Sequence, residues 1–187
     1  MISKGLNLGC GTSASKSTED IEFINIDLVL LEGVDMKYDL NVIPYPFEDN
    51  SIDLIIMNDI LEHLDYPIFV LEECYRILKK GGKLQIKVVH WNHRYSYSDP
   101  QHKHAFCERY FRVFTGKIRK YYFDFHFENL KVDYFFDEKA IRKWVEKRFN
   151  KELSDKDKEF LLDVGYFHCN VIQGMKIELT KPLKEDD

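Results

Sequence analysis

The sequence predicts an α/β fold built around a mostly parallel β-sheet. In the first half of the chain, short apolar runs alternate with polar or helical stretches, which is the pattern of strands joined by crossovers. The first apolar run leads directly into a glycine-rich turn at residues 9–12. Glycine lets the backbone adopt positive φ and lets a ligand approach closely, and open α/β sheets hold nucleotides at such turns. The fold class and a nucleotide-like ligand are therefore expected together.

The composition of the chain fits one folded domain. Its 187 residues are 44% hydrophobic, and at that length a single core buries roughly 70% of the surface of the unfolded chain. No run approaches the roughly 18 apolar residues of a membrane span, and the amino terminus has no apolar signal region. The cysteines form no Cys-x-x-Cys pair, which indicates free thiols in a reducing compartment. They are Cys10, Cys74, Cys107 and Cys169. We expect a cytoplasmic protein that does not bind a membrane.

The net charge of −5 gives the chain no overall field that would attract nucleic acid. Basic side chains are concentrated between Lys103 and Lys120, where Arg109, Arg112 and Arg119 lie. A basic stretch of this size is more typical of a solvated surface than of a nucleic-acid interface.

The first half of the chain predicts five strands. They cover residues 6–8, 23–27, 34–39, 52–57 and 83–89. The fourth is apolar enough to be a buried parallel strand. Residues 13–20 are rich in Ser, Thr and Lys, so the crossover helix after the first strand is short or poorly formed. A longer helix is predicted from Pro67 to the pair Gly81 and Gly82, and the two prolines of 43–47 exclude a regular element there.

The second half of the chain is less regular. His90 to Phe106 is predicted to be a loop, and Cys107 to Phe114 a helix with an aromatic face. Residues 123–127 alternate between aromatic and polar, as a strand does, and a slip near Asn129 leaves one bulged strand and a hairpin as alternatives. Helical segments are predicted between residues 137 and 165. An alternating last strand is predicted at residues 171–179.

The glycine turn is compatible with two classes of ligand. Residues 9–14 nominally match Gly-x-Gly-x-x-Gly/Ala, and Asp27 lies near the spacing of a ribose ligand, which is the fingerprint of a dinucleotide oxidoreductase. A pyrophosphate, however, needs a well-formed helix directly after the turn. The composition of residues 13–20 argues against that helix. A cofactor without a phosphate does not need it.

The chain resembles class I S-adenosylmethionine-dependent methyltransferases of the small type 11 kind. The matching motifs occur in the family's order over residues 5–89. They are Leu6-Asn-Leu-Gly-Cys-Gly-Thr12, Asn25-Ile-Asp-Leu28, Tyr38-Asp-Leu-Asn41, Ser51-Ile-Asp-Leu-Ile-Ile-Met-Asn-Asp-Ile-Leu-Glu-His-Leu64 and Leu71-Glu-Glu-Cys-Tyr-Arg-Ile-Leu-Lys-Lys-Gly-Gly82. Each motif is weak alone, and together they are specific. The resemblance implies a Rossmann-like seven-stranded sheet with an antiparallel last strand and a small helical, aromatic cap. It implies one domain over 1–187, with a cofactor-binding half in 1–89 and a substrate loop, cap and last strands in 90–187.

The resemblance also implies which residues bind the cofactor, S-adenosyl-L-methionine. The expected cofactor-binding residues are Gly9, Cys10, Gly11, Asp27, Leu28, Asp39, Leu40 and Asn58. Asp27 would accept hydrogen bonds from both ribose hydroxyls, and Asp39 with Leu40 would lie at the adenine. The family usually has Asp or Glu where this chain has Asn7, which puts one contact near the methionine amine in doubt. Asp27 and Asp39 could also be simple turn residues at strand ends.

His63 is the candidate catalytic residue. It follows the fourth strand and could act as a general base, since imidazole titrates near neutral pH. The alternative, which we favour, is a packing residue beside the cofactor, because many methyl transfers need only proximity and alignment.

The loop after the fifth strand is expected to serve the substrate. Its candidate substrate residues are Trp91, His93 and His102, and its Asp99-Pro-Gln-His102 segment resembles one found after strand five in related methyltransferases. With the segment 137–165, packed by Ile141, Trp144 and Phe149, the loop is expected to cap the acceptor site. Several potential ligands in this region invite a zinc site. They are His90, His93, His102, His104, Asp99 and Cys107. They form no compact ligand motif, so no metal is predicted.

The sequence therefore predicts methyl transfer from S-adenosylmethionine to an O, N or C nucleophile of a small-molecule acceptor. The alternative enzyme is an RNA methyltransferase, which the basic stretch from Lys103 suggests. The Asn/Asp-Pro-Pro-Tyr signature of amino-directed nucleic-acid methylation is absent. The alternative from another class is a non-catalytic cofactor-binding or interaction protein, because a fold does not determine a function.

Overall fold

The computed structural model describes residues 2–136, 147 and 172–183, and within them it contains one seven-stranded sheet. Its strands are β1 (Ser3–Leu8), β2 (Ile21–Asp27), β3 (Met36–Lys37), β4 (Ile52–Asn58), β5 (Leu78–Val89), β6 (Glu128–Phe136) and β7 (Ile172–Thr180). The strand order is β3-β2-β1-β4-β5-β7-β6. β7 is antiparallel to β5 and β6, whereas β1 to β5 are parallel. The predicted α/β class, strand number and antiparallel last strand are confirmed.

The described helices all follow β4. They are α1 (Pro67–Ile77), α2 (Tyr95–Ser98) and α3 (Glu108–Val113), with 3₁₀ turns at Leu61–His63 and Lys120–Tyr122. The connections at 9–20, 28–35 and 38–51 contain no helix, which agrees with the weak helix predicted for residues 13–20. None of the helices in the described part of the chain is long and apolar enough to cross a membrane.

Side-chain hydrogen bonds hold the non-helical connection between β1 and β2. The buried amide of Asn7 donates to Ser13 O (3.0 Å) and to Asn25 Oδ1 (3.2 Å). Asn25 Oδ1 also accepts the backbone N–H of Ser15 at 2.6 Å, and its Nδ2 donates to Asp35 Oδ2 at 3.0 Å. An amide both donates and accepts. Asn7 therefore ties the connection to the sheet through a donor that the family's usual carboxylate lacks.

The two faces of the sheet have different compositions. One face is lined mainly by apolar residues of the five central strands, and the buried ones pack in one cluster with α1 and the aromatic residues around α3. These strand residues include Leu8, Ile26, Met57, Ile86 and Ile177. The opposite face is polar at the end of the sheet near β6. There Glu178 of β7 lies beside Gln85 of β5 and Lys131 of β6. The sheet is therefore amphipathic, and α1 and α3 pack on its apolar face.

Three predictions of local structure are wrong. The helix from Pro67 ends at Ile77 and not at Gly81–Gly82, because Asn50 N–H and Ser51 N–H bind the last helical carbonyls, at Arg76 and Ile77. Leu78 is then free to enter β5 opposite Ile52. β4 is not buried on both sides, since Leu54 and Ile56 are half-buried on the mostly polar face.

The third wrong prediction concerns the aromatic alternation at residues 123–127. These residues form no strand, and β6 begins at Glu128. Phe125 and Phe127 are both buried, where they contact Tyr75 with ring centroids 5.4 and 5.1 Å away. The alternation of aromatic and polar residues at 123–127 therefore reflects burial of the aromatic side chains and not pairing in the sheet. The predicted slip at Asn129 is present, as positive φ (54°) and a register shift between Glu128 and Lys131.

Candidate functional site

The glycine turn directly follows β1 and takes a left-handed backbone. Gly9 has φ +67° and Gly11 has φ +50°, a region that L side chains avoid. A Cβ on Gly9 would lie 2.3 Å from Ile60 Cγ1, whereas a Cβ on Gly11 would meet nothing within 4 Å. The N–H groups of Gly9 and Cys10 both donate to Ile26 O, at 2.8 and 3.1 Å. Gly9 is thus required both by its positive φ and by the side chain of Ile60, which leaves no room for a Cβ. Gly11 is required by its positive φ alone, because the space beside it is open.

Asp27, at the end of β2, is fixed against this turn. Its Oδ2 accepts the N–H of Gly11 at 2.8 Å, and its Oδ1 accepts the N–H of Val29 at 3.0 Å. A carboxylate has about four lone-pair directions, so each oxygen retains acceptor capacity. Asp27 is therefore oriented by the backbone and still able to accept from a ligand.

The end of β3 brings a second carboxylate to the same edge of the sheet. Tyr38 N–H donates to Asp27 O at 2.9 Å. Asp39 Oδ1 accepts both the backbone N–H and the side-chain N–H of Asn41, at 2.9 and 3.1 Å. Leu40, 5% exposed, supplies an apolar surface beside it.

These groups line one cleft of about 520 Å³ at the carboxyl ends of the parallel strands. The cleft contains five of the eight predicted cofactor-binding residues, namely Gly9, Asp27, Leu28, Asp39 and Leu40. The other three do not line it but adjoin it: Cys10 and Asn58 are next to lining residues in the chain, and Gly11 bonds Asp27. Burial, followed by the charge of Asp27, raises the pKa of the Cys10 thiol.

His63 lines the cleft from the 3₁₀ turn after β4. Two neighbours in this turn are acidic. Asp59 lines the cleft and is paired with Lys87. Glu62 is 2% exposed, and its burial raises the pKa of its carboxyl group.

Glu62 joins the turn to the loop that follows β5, and sequence reasoning did not identify it. Its Oε1 accepts the N–H of Val89 at 3.4 Å, and its backbone oxygen accepts the N–H groups of Lys103 and His104, at 2.8 and 3.3 Å. A carboxylate inside an apolar motif was the available signal, since buried charged groups are rare without a role. Through Glu62, the loop is held over the carboxyl edge of the sheet.

The loop completes the cleft with Pro100, Gln101 and Lys103. His102 lies against His63, with ring centroids 4.7 Å apart. The other two candidate substrate residues lie elsewhere. Trp91 is 46% exposed, and His93 is 2% exposed and packs on Tyr95; neither lines the cleft. Ile141, Trp144 and Phe149, and the rest of the segment 137–165 apart from residue 147, lie outside the described residues.

The basic stretch faces a different cavity. Arg112 and Lys117 line a cavity of about 490 Å³ between α3 and β6, which shares no residue with the cleft. The charged residues of the cleft are Asp27, Asp39, Asp59 and Lys103, apart from His63. Lys103 is paired with Asp65 at 2.6 Å. The cleft is therefore mainly acidic, and Arg112 and Lys117 of the basic stretch lie away from it.

Comparison with known proteins agrees with this geometry. Residues 6–86 match the family model described as "Methyltransferase domain". Two uncharacterised proteins of Methanocaldococcus jannaschii are 37% identical over 90 residues and 31% identical over 89 residues. The matches cover 45% and 47% of this chain and only 40% and 39% of those relatives.

Solved structures share the fold over almost the whole chain. A SAM-dependent methyltransferase from Archaeoglobus fulgidus has a TM-score of 0.67 and 20% identity, covering 96% of this chain and 86% of that one. Phosphoethanolamine N-methyltransferase 2 from Haemonchus contortus, in complex with phosphomonomethylethanolamine and S-adenosylhomocysteine, has a TM-score of 0.63 and 18% identity, covering 97% and 49%. The [4+2]-cyclase SpnF has a TM-score of 0.56 and 15% identity, covering 98% and 76%.

Proposed function

We propose that this chain, whose residues 6–86 match the methyltransferase-domain model and whose fold is shared by a SAM-dependent methyltransferase, is a class I methyltransferase that binds S-adenosylmethionine and methylates a small-molecule acceptor. One observation carries the proposal. The glycine turn, Asp27 and the Asp39–Leu40 pair come from three different strand ends and line a single cleft. In open α/β sheets that edge is the ligand-binding edge.

The residues of the cleft fit the parts of this cofactor. Asp27 has free lone pairs for two ribose hydroxyls, and Leu40 offers an apolar contact for the adenine, with Asp39 beside it. The backbone of residues 9–11, with open space at Gly11, would hold the methionine end, and Asn58 lies nearby in the chain. When bound, S-adenosylmethionine supplies an electrophilic methyl group on a sulfonium. The protein's part is to align an acceptor with that methyl group and to exclude water.

A dinucleotide fits the cleft less well. Residues 13–20 contain no helix, so no helix N-terminus faces the turn to bind a pyrophosphate. This counts against the oxidoreductase alternative and favours a cofactor without phosphate.

The charges of the cleft favour a small-molecule acceptor over RNA. Nucleic-acid binding depends on neutralising phosphates with basic groups, whereas this cleft is lined by three aspartates and one paired lysine. The Haemonchus contortus neighbour is named for action on a small molecule. His63, on the wall of the cleft, is the candidate base for an acceptor that must lose a proton.

Calorimetry of the purified chain tests this proposal. We expect S-adenosylmethionine and S-adenosylhomocysteine to bind with 1:1 stoichiometry and NAD not to bind. Binding of NAD without binding of S-adenosylmethionine would overturn the proposal. A screen of acceptor classes with radiolabelled methyl donor then tests the chemistry. Cofactor binding without transfer to any acceptor would favour a non-catalytic role, and the [4+2]-cyclase shows that this fold accommodates other reactions.

A further inference from the structure

We propose that His63, Asp99 and His102 form a binding site for a divalent transition-metal ion, with Zn²⁺ as the best match, on the acceptor side of the cleft. The sequence predicted no metal, because the histidines of residues 90–104 formed no compact motif. The fold removes that objection by bringing in His63 from a different element. Among the residues that the structure describes, this is the only group of three or more His, Cys, Asp or Glu side chains whose ligand atoms converge.

The three side chains are arranged around a common point. One ligand atom from each lies within 4.8 Å of the others. The rings of His63 and His102 meet edge to face, at 68°, and His102 Nε2 lies 3.9 Å from Asp99 Oδ2. Ligands of a tetrahedral ion, with bonds of about 2.0–2.2 Å, lie roughly 3.3–3.6 Å apart. The side chains would therefore close by about 1 Å on binding, which rotamer adjustment can supply.

A second observation points to a missing ligand. The side chain of His102 is 8% exposed, and its Nδ1 is buried with no hydrogen-bond partner among the described residues. A buried polar nitrogen without a partner costs about 1–3 kcal/mol, and native structures contain few of them. A cation bound at this nitrogen would supply the partner that it lacks.

The backbone holds the site without using its proposed ligand atoms. Asp99 Oδ1 accepts the N–H of Gln101 at 2.8 Å, which leaves Oδ2 toward His102. The backbone bonds of Lys103 and His104 to Glu62 O fix the loop against the turn that carries His63. The ligands are thus positioned by bonds that a metal would not break.

The donor set selects the class of ion. Two imidazoles and one carboxylate suit Zn²⁺ and its neighbours in the first transition row, whereas Mg²⁺ and Ca²⁺ prefer sites made only of oxygen. Three protein ligands leave an open position, which is the pattern of catalytic zinc sites. If the proposed function holds, this position would take an oxygen or nitrogen of the acceptor, because His63, Pro100 and Gln101 belong both to this region and to the cleft wall. Metal coordination would lower the pKa of a bound hydroxyl.

Metal binding is tested on the full chain, stripped with a chelator and titrated with Zn²⁺ by calorimetry and with Co²⁺ by visible absorption. We expect one ion per chain and a Co²⁺ spectrum of low symmetry. His102→Ala should weaken Zn²⁺ binding at least 100-fold. His104→Ala is the matched control, since it removes a histidine from the same loop that bonds Asp65 O and lies outside the cluster; it should bind Zn²⁺ as the parent does.

The outcomes separate this inference from the proposed function. Equal Zn²⁺ affinity in the parent, His102→Ala and His104→Ala chains, or no binding at all, would overturn the metal site. If His102→Ala does not fold, as judged by circular dichroism, Asp99→Asn replaces it, because Asn retains the acceptor for Gln101 N–H and should still weaken binding at least 10-fold. Zn²⁺ binding in a chain that does not bind S-adenosylmethionine would support the metal site and remove the proposed function. The reverse result would remove only the metal site.

Discussion

The two walls of the cleft are built in different ways. Gly9, Asp27 and Asp39 follow the ends of paired parallel strands, so the sheet register sets their relative positions. The opposite wall, residues 99–103, is a loop held mainly by backbone bonds to Glu62 O and by the Lys103–Asp65 ion pair. The wall proposed to bind a constant cofactor is made of rigid elements, and the wall proposed to face the acceptor is a loop, where specificity can vary without cost to the sheet.

The largest effect is expected on the strand wall, at Gly9. Gly9→Ala places a Cβ at positive φ and 2.3 Å from Ile60 Cγ1, and should lower the free energy of unfolding by about 2–4 kcal/mol. Gly11→Ala is the control with the same conformational change and no contact, and should cost about 1–2 kcal/mol. Urea denaturation of both variants measures the difference. Equal losses would show that packing against Ile60 is unimportant.

The next effect concerns recognition at the same wall. Asp27→Asn removes the charge and one of the two acceptor oxygens, and should weaken S-adenosylmethionine binding by about 1.5–3 kcal/mol. Because an amide cannot accept from both the Gly11 and the Val29 N–H groups, circular dichroism of the variant is compared with that of the parent. Asp20→Asn changes an exposed aspartate that precedes β2 and should leave calorimetric affinity unchanged. A folded Asp27→Asn variant that binds the cofactor like the parent would show that Asp27 only shapes the turn.

The stability of the fold should respond to acid through His90, which lies where β5 ends and the loop begins. Burial lowers the pKa of His90 from 6.5 to about 4, while Glu108 raises it and His93 lowers it. Between these values the unfolded chain binds a proton that the folded chain does not, so stability falls as pH falls through this range. From pH 7 to pH 5 the loss due to His90 should be about 2 kcal/mol.

Comparison of denaturation at pH 7 and pH 5 with a His90→Gln variant isolates this contribution. The variant is expected to be less stable at pH 7 and to lose less on acidification. An unchanged pH dependence would show that His90 does not titrate in this range.

The same contrast explains what the sequence could predict. The sequence singled out the strand-end residues that line the cleft, because these groups are local: each lies at or just after the end of an apolar run, and parallel strands bring their carboxyl ends to one edge. Their role in binding the cofactor stays a prediction. The composition of residues 13–20 predicted a short or poorly formed helix between β1 and β2. The sequence did not predict the hydrogen bonds of Asn7 and Asn25 that hold this connection in place of a helix.

The loop wall could not be predicted in the same way. His102 meets His63 across 39 positions of sequence only because Glu62 O binds the loop backbone, and side-chain composition does not encode a backbone bond of that kind. The strand predicted at residues 123–127 was wrong for a related reason. Alternate residues of this segment are aromatic because they are buried in the aromatic cluster, and such burial can produce a period of two in a segment that is not paired in the sheet.

The smallest effect is expected from the basic residues outside both walls. Arg112 lines the cavity between α3 and β6, and Arg109 and Arg119 belong to the same basic stretch. Arg119 lies 5.1 Å over the ring of Tyr122, an exposed cation–π contact worth about 0.5–1 kcal/mol. Replacement of all three by Ala should leave cofactor affinity and methyl transfer to a small acceptor unchanged.

Any RNA binding by the parent should be weak, and its titration between 50 and 200 mM salt measures the contribution of phosphate contacts, because each contact releases counterions. Tight RNA binding that falls steeply with salt and is lost in the triple variant would assign the acceptor site to the basic cavity, and the acidic cleft would then hold the cofactor alone.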